Sequence, residues 1–314
     1  DSGLFENETI NKDRIGVIWG AGIGGISTFE NEIKGYVAND FKPKFNPFFI
    51  PKMIIDISAG WISMRHGFRG PNFSTVSACA SSTNALIDSF NYIRLGKADA
   101  IVTGGSEAAV TEGGIGGFNA LRALSERNDS PATASRPFDK ERNGFVMGEG
   151  AGAIILEEYE HAKARGAKIY AEMIGGGMSA DAHHLTAPHP EGLGAKNVMI
   201  NALDDANIKP EDVDYVNVHG TSTPLGDVGE IKAIESVFDE HRYKLNISST
   251  KSMTGHLLGA AGAIEAIASI LSIRNGLVPP TINHSTTDEA FDSELNFTFN
   301  KAQKRDVNIA LMNE

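Results

Sequence analysis

Continuous apolar runs of strand length alternate along this chain with segments of helical period. "RIGVIWG" (14–20), "STVSA" (74–78) and "DAIVTGG" (99–105) read as buried strands. Between the last two, Ala85, Leu86, Ile87, Phe90, Ile93 and Leu95 fall on the apolar positions of a helix spanning Ser81 to Leu95. "GAGAIILEEYEHAKARG" (150–166) predicts a strand followed by a short helix that stops at Gly166. From "YAEMIGGGMSA" (170–180) onward the alternation starts again. A helix at 192–206, the strand "DYVNVHG" (214–220), a helix at 226–238, the strand "LNISST" (245–250), a long helix at 257–274 and the strand "NIALMN" (308–313) follow in order. Unbroken apolar strands between helices predict an α/β fold with a mostly parallel sheet. The pattern divides into two halves, residues 1–167 and 168–314, and the Pro/Gly/charged stretch from Arg127 to Gly150 is long enough to be functional rather than a plain loop.

Composition narrows the class. Across 314 residues, 41% hydrophobic and 22% charged residues describe a globular protein. A single cysteine excludes a disulfide framework and fits a reducing, cytoplasmic setting. No basic segment leads into an apolar run near Asp1, so no signal peptide is expected. A formal charge of −12 argues against non-specific nucleic-acid binding. The longest apolar tract, Leu257 to Ile273, carries Glu265 and is short for a membrane span, so it is expected to be a buried helix. The glycosylation triplets at Asn7, Asn246 and Asn296 are expected to be chance.

The candidate chemistry sits where strands hand over to helices. Cys79, in "STVSACASSTNAL" (74–86), stands at such a junction, where amide N–H groups and the helix dipole stabilise a thiolate. A lone cysteine is equally a small buried hydrophobe, and the local pattern leaves both readings open. "VNVHGTSTPLGD" (216–227) places His219 at a strand end, and "SSTKSMTGHLLGAAGAIE" (248–265) places Lys251 after a strand and His256 at the mouth of a helix. Glu265 lies among Ala, Gly and Ile, where an unpartnered carboxylate costs several kcal/mol, so Lys251 is its expected partner. Ligands of open α/β sheets bind at the carboxyl ends of strands, which is where these residues fall.

Three other chemistries fit less of the pattern. "GAGIGG" (20–25) with Asp40 hints at a dinucleotide site, but the segment before Asp40 does not read as a buried strand. His183, His184 and His189 lack a Cys or Glu at zinc-ligand spacing. A cysteine protease leaves Lys251, Glu265 and the second histidine unexplained.

"SACASSTNAL", "VHGTSTPLGD" and "KSMTGHLLGAAGAIE", together with "SRPFDKERNGFVMGEGAG" and "GGFNALRALSERND", resemble the motifs of the β-ketoacyl-acyl-carrier-protein synthases, most of all the elongating type II enzyme. The resemblance runs from about Arg14 to Asn313. It implies a thiolase-like α/β fold, a layered α-β-α-β-α core of two pseudo-equivalent halves, the first carrying the nucleophile and the second the histidines, lysine and glutamate. It also implies a homodimer, no cofactor, no metal, and an acyl carrier protein as partner, with no nucleic acid or membrane involved. Cys79 is then the acyl acceptor, His219 and His256 hold the thioester oxygen of the malonyl unit, and Lys251 with Glu265 organises the site. By the same resemblance Thr221 and Thr223 bind the pantetheine arm, Phe145 lies beside the nucleophile and Ile23 lines the acyl pocket. Arg122, Lys42 and Lys44 are expected to meet the acidic carrier.

Members of that family carry about eighty further residues ahead of the position of Asp1 and a Phe-Gly-rich loop after that of Asn313, with a small hydroxyl residue where Glu314 stands. The alternative to an enzyme is a catalytically silent partner or scaffold subunit of a condensing complex. Biosynthetic thiolases, by contrast, use a second cysteine that this chain lacks.

Overall fold

The computed structural model describes residues 2–5 and 10–314, and Asn7 lies outside the described residues. In chain order the elements are β1 (Ile15–Gly20), α1 (Ile26–Ala38), α2 (Phe49–Met53), α3 (Ile57–His66), β2 (Asn72–Thr75), α4 (Ser81–Arg94), β3 (Ala100–Glu107), α5 (Glu112–Ala120), β4 (Gly150–Glu157) and α6 (Tyr159–Ala164). There follow α7 (Leu193–Ala206), β5 (Tyr215–Asn217), α8 (Pro224–Phe238), β6 (Asn246–Ser248), α9 (Lys251–Thr254), α10 (Ala261–Asn275), β7 (Leu277–Val278), β8 (Gln303–Lys304) and β9 (Ala310–Met312).

The chain forms two compact units that interleave in sequence. The first holds residues 1–118, 148–169 and 257–264, and the second holds 119–147, 170–256 and 265–314. In the first unit the sheet order is β2-β1-β3-β4, with β1 parallel to both neighbours and β4 antiparallel to β3. Every residue of β1 is buried. Ile15, Val17 and Trp19 pack with Ala59 of α3 and Phe68, while Ile18 packs with Ala85 of α4 on the opposite face. Apolar cover on both faces is why the strand reads as a continuous run rather than an alternating one.

In the second unit β5 lies between β6 and β9, parallel to both. Its core joins Val216 and Val218 to Ile231, Ile234 and Phe238 of α8, with Met199 and Leu203 of α7 and Phe138, Ile247 and Phe297. Asn246 is 2% exposed, and its amide donates to Thr298 Oγ1 (3.0 Å) and Gln303 Oε1 (2.8 Å). Asn296 donates to the same Gln303 Oε1, so both triplets spend their amides inside the fold.

Several predicted boundaries move, and the strands expected at 214–220 and 245–250 shorten to Tyr215–Asn217 and Asn246–Ser248. The strand expected at 74–78 ends at Thr75, because Ala78 takes a left-handed φ of +52° and opens a 3₁₀ turn, Ala78–Ala80, that runs into α4. The helix expected from Leu257 begins at Ala261, after a separate 3₁₀ turn over Leu258–Ala260 in which Leu258 has φ +50°. Close packing forces that second break. A Cβ on Gly259 would stand 2.2 Å from the Gly22 nitrogen, so this turn is pressed against the loop after β1. Among the described residues no helix is long and apolar enough to cross a membrane.

Candidate active site

In the first unit, Cys79 occupies the 3₁₀ turn that leads into the fourteen-residue α4, at the positive end of its dipole. Small hydroxyl and amide side chains hold this elbow. The Ser77 N–H donates to Ser81 Oγ (3.0 Å), and Ser81 Oγ donates to the Ala78 carbonyl (2.7 Å). Thr75 Oγ1 donates to the Ser81 carbonyl (2.7 Å), and the Asn84 amide donates to Ser77 Oγ (2.7 Å). Side-chain bonds of this kind offer the backbone an alternative to the ladder, which is how a strand is stopped and turned within a few residues. The Ser/Thr/Asn richness around the cysteine thus has a local mechanical cause.

The second unit gathers His219, His256, Lys251 and Glu265. His219 follows β5, and its backbone N–H and that of Gly220 donate to Glu230 of α8 (2.8 and 2.7 Å). Lys251 opens α9 after β6, and His256 follows α9 through Gly255, its N–H donating to the Val146 carbonyl (2.7 Å). The two imidazole rings meet edge to face at 5.3 Å, and Phe145 stands edge-on to His256 at 5.2 Å. Lys251 Nζ donates to Glu265 Oε1 (2.5 Å) and to Glu314 Oε1 (2.7 Å), and Glu314 Oε2 lies 2.5 Å from His219 Nδ1.

Burial governs the charges of this group. The side chains of Lys251, Glu265 and Glu314 are 2%, 3% and 0% exposed. Burial alone lowers a lysine, but the two carboxylates outweigh it and hold Lys251 above its ordinary value as an ammonium. One ammonium cannot neutralise two buried carboxylates. Burial and their mutual repulsion push Glu265 well up, and burial raises Glu314 as well, so the two carboxyls titrate as one coupled unit. His219 is pushed down to about 4, first by burial and then by the Lys251 charge. His256 is lowered well below its usual value by burial, Lys251 and His219. Both imidazoles are therefore neutral at pH 7.

A stability consequence follows for His219. Between about pH 6.5 and about pH 4 the unfolded chain binds a proton at this ring that the folded one refuses, so stability falls as pH drops through that window. His219→Asn is expected to show a smaller loss of urea midpoint between pH 7 and pH 4.5 than the parent protein. Equal losses would mean that the ring already titrates normally in the fold.

The remaining residues singled out by sequence are dispersed. Thr221 is buried, and its hydroxyl lies 3.1 Å from that of Thr223 just ahead of α8. Ile23 lies half-buried in the loop between β1 and α1 of the first unit. Arg122, Lys42 and Lys44 are exposed, and Arg122 has φ +55°. His184 Nδ1 accepts the N–H of Thr186 and Ala187, and His189 Nδ1 accepts that of Glu191, so these two imidazoles tie their own loop. Sequence reasoning passed over Glu230 and the site role of Glu314. Glu230 carried a usable signal, being a carboxylate one turn past Asp227 on the buried face of α8. Glu314 carried none, since its partners lie 95 and 63 residues away.

Residues 1–162 match the model of the "Beta-ketoacyl synthase, N-terminal domain", and residues 170–285 match that of the "Beta-ketoacyl synthase, C-terminal domain". The chain is 50% identical over 313 residues to the 3-oxoacyl-[acyl-carrier-protein] synthase 2 of Coxiella burnetii, covering 100% of this chain and 75% of that protein. It is 51% identical over 314 residues to the protein of the same name from Staphylococcus aureus, covering 74% of it. Among solved structures, it superposes with a TM-score of 0.91 and 35% identity on a type II polyketide ketosynthase in complex with its acyl carrier protein, over 96% of this chain and 75% of that one. A β-ketoacyl synthase from Burkholderia phymatum gives 0.88 and 35%, over 96% and 72%. The fold is accordingly the thiolase-like α/β fold of the ketosynthases. Two family domains in tandem, relatives at half identity over the length of this chain, and a cysteine in the turn that opens α4 with a His-Lys-His-Glu set in the second unit all agree: the chain belongs to the β-ketoacyl synthase family.

Proposed function

We propose that this protein is an elongating condensing enzyme, an acyltransferase that joins a malonyl unit on an acyl carrier protein to an acyl group held on Cys79. The observation that carries the proposal is the cluster in the second unit, where two neutral imidazoles sit beside an ammonium held between two buried carboxylates.

Cys79 attacks the acyl thioester as a thiolate, and the pantetheine thiol of the carrier leaves as the acyl-enzyme forms. The malonyl thioester then loses carbon dioxide, and the electrons of the broken C–C bond pass into an enolate. His219 and His256 donate N–H to the enolate oxygen, and such preorganised donors act most strongly where charge develops away from water. For His219 this requires the ring proton on Nε2. The carbanion attacks the acyl-Cys79 carbonyl, the thiolate is released, and the product is a 3-ketoacyl carrier two carbons longer. Lys251 and Glu265 hold the histidine environment and do not react.

Thr221 and Thr223 hydrogen-bond the pantetheine arm, Phe145 and Ile23 border the acyl group, and Arg122, Lys42 and Lys44 meet the acidic carrier. The division into halves at residues 1–167 and 168–314, pairing of two copies and a cytoplasmic setting belong to the same proposal. Relatives named for acyl-carrier-protein substrates, and a ketosynthase solved with its carrier bound, support it.

The test is a two-stage incubation followed by mass spectrometry of enzyme and carrier. Loading with an acyl carrier thioester should add one acyl mass to the enzyme. Adding malonyl carrier should discharge it, releasing one carbon dioxide per 3-ketoacyl carrier formed. An acyl-enzyme that malonyl carrier never discharges overturns the condensation step, and failure of the enzyme to take any acyl group leaves the silent-partner alternative standing.

A further inference from the structure

The glycine-rich turn "GAGIGG" (20–25) has the look of a phosphate-binding loop, yet its amides converge on a carboxylate of the chain itself. Glu107, the last residue of β3, is 4% exposed. Its Oε2 accepts the N–H of Gly22 (2.7 Å), Ile23 (3.1 Å) and Gly259 (3.2 Å), and its Oε1 accepts those of Ile23 and Gly24 (3.2 Å each). Four backbone amides from two separate loops of the first unit thus close on one side chain, a nest of the kind that elsewhere captures anions.

The contact is possible only because glycine backbone comes close. A Cβ on Gly22 would lie 2.9 Å from Glu107 Oε2 and 3.1 Å from the Ala78 carbonyl, and one on Gly259 would lie 2.8 Å from Oε2. Gly22 therefore fills the space between the carboxylate and the elbow residue that precedes Cys79. Ala78 holds its left-handed φ of +52° against this loop.

We propose that Glu107 is a positioning residue that sets, through the Gly22–Gly24 backbone, both the elbow presenting Cys79 and the placement of Ile23 at the acyl group. The part concerning Ile23 and acyl transfer rests on the proposed condensing function, whereas the effect on the Cys79 thiol does not. Glu107 touches no substrate. It fixes the loop on which substrate length is read, so its loss should alter the preference among acyl chains and not merely lower the rate for all of them.

Glu107→Gln keeps the shape but replaces one acceptor oxygen with an NH₂ that confronts the same N–H donors. Gly22→Ala disturbs the identical contact from the loop side with Glu107 intact. Each variant is expected to change the ratio of kcat/KM for long-chain over short-chain acyl carriers by about tenfold, below the roughly hundredfold that an ångström of misplacement can cost. Each should also change the rate of Cys79 alkylation by iodoacetamide at least severalfold. A ratio and an alkylation rate both within twofold of the parent overturn the proposal, as does a uniform loss of rate matching a loss of folded protein. If the parent protein accepts no acyl group, the condensing function fails on its own, and alkylation alone decides whether Glu107 governs the thiol. Should both variants fail to fold, amide exchange in the parent decides. Gly22, Ile23 and Gly24 should exchange as slowly as β1, and rapid exchange overturns the proposal.

Discussion

Cys79→Ala is expected to abolish acyl loading and to lower condensation by at least about 10⁴-fold, within the range that removal of a covalent nucleophile costs. The fold should survive the change. Cys79 is only half-buried, and the elbow is held by Ser77, Ser81, Thr75 and Asn84 and not by the thiol. Cys79→Ser replaces the thiol with a hydroxyl of similar size, but a hydroxyl is far less acidic than a thiol and does not ionise at a helix N-terminus near neutral pH. It should be nearly as inactive as the alanine variant. Intact-mass measurement after exposure to an acyl carrier thioester checks both: one adduct on the parent, none on either variant. An adduct that persists in Cys79→Ala would move the acyl acceptor to another side chain.

Lys251→Met is expected to destabilise the protein by about 3–5 kcal/mol at pH 7, the scale for removing one partner of a buried ion pair. Methionine fills much of the volume, so the loss reports the charge and not a cavity. Without the ammonium, Glu265 and Glu314 face each other buried, both already raised by burial. The sign of the pH response follows. Folded-state carboxyls raised above their unfolded values bind protons that the unfolded chain releases, so their penalty grows as pH rises and shrinks as it falls. Urea unfolding of parent and variant at pH 7.5 and pH 5 should therefore show the gap closing at the lower pH. A gap of less than about 1 kcal/mol at pH 7 would place Lys251 among the ordinary surface ion pairs, in conflict with its 2% exposure.

Much of this architecture was legible in the chain. Helix α4 starts and ends within one residue of the range that the apolar spacing predicts, and β1 and β3 emerge where the uninterrupted apolar runs lie. These signals are local. Period and burial on both faces act over a few residues, and nothing distant competes with them. The tie between Lys251 and Glu265 was legible for a different reason: a carboxylate among Ala, Gly and Ile needs a cation, and Lys251 stands at a strand-to-helix junction where the other candidate residues gather.

Other features left no local trace. The strand before Cys79 was read three residues too long because Ser81 reaches back to stop it, and the helix after His256 was read four residues too early because Gly259 is clamped against Gly22. Glu107 stands two residues past the run that reads as a strand and carries no local signal. Its function as the filling of a glycine nest appears only when Gly259, 152 residues away, supplies the fourth amide.

The sequence by itself determined the alternation of strands and helices, the junctions at which Cys79, His219, Lys251 and His256 stand, and the need of Glu265 for a partner, because each depends on residue type and short-range spacing. Tertiary structure alone decided the left-handed turn at Ala78, the raised Glu265 and Glu314 carboxyls, and the lowered His219 imidazole. Those depend on desolvation and on charges brought together from distant parts of the chain, which no window of residues contains.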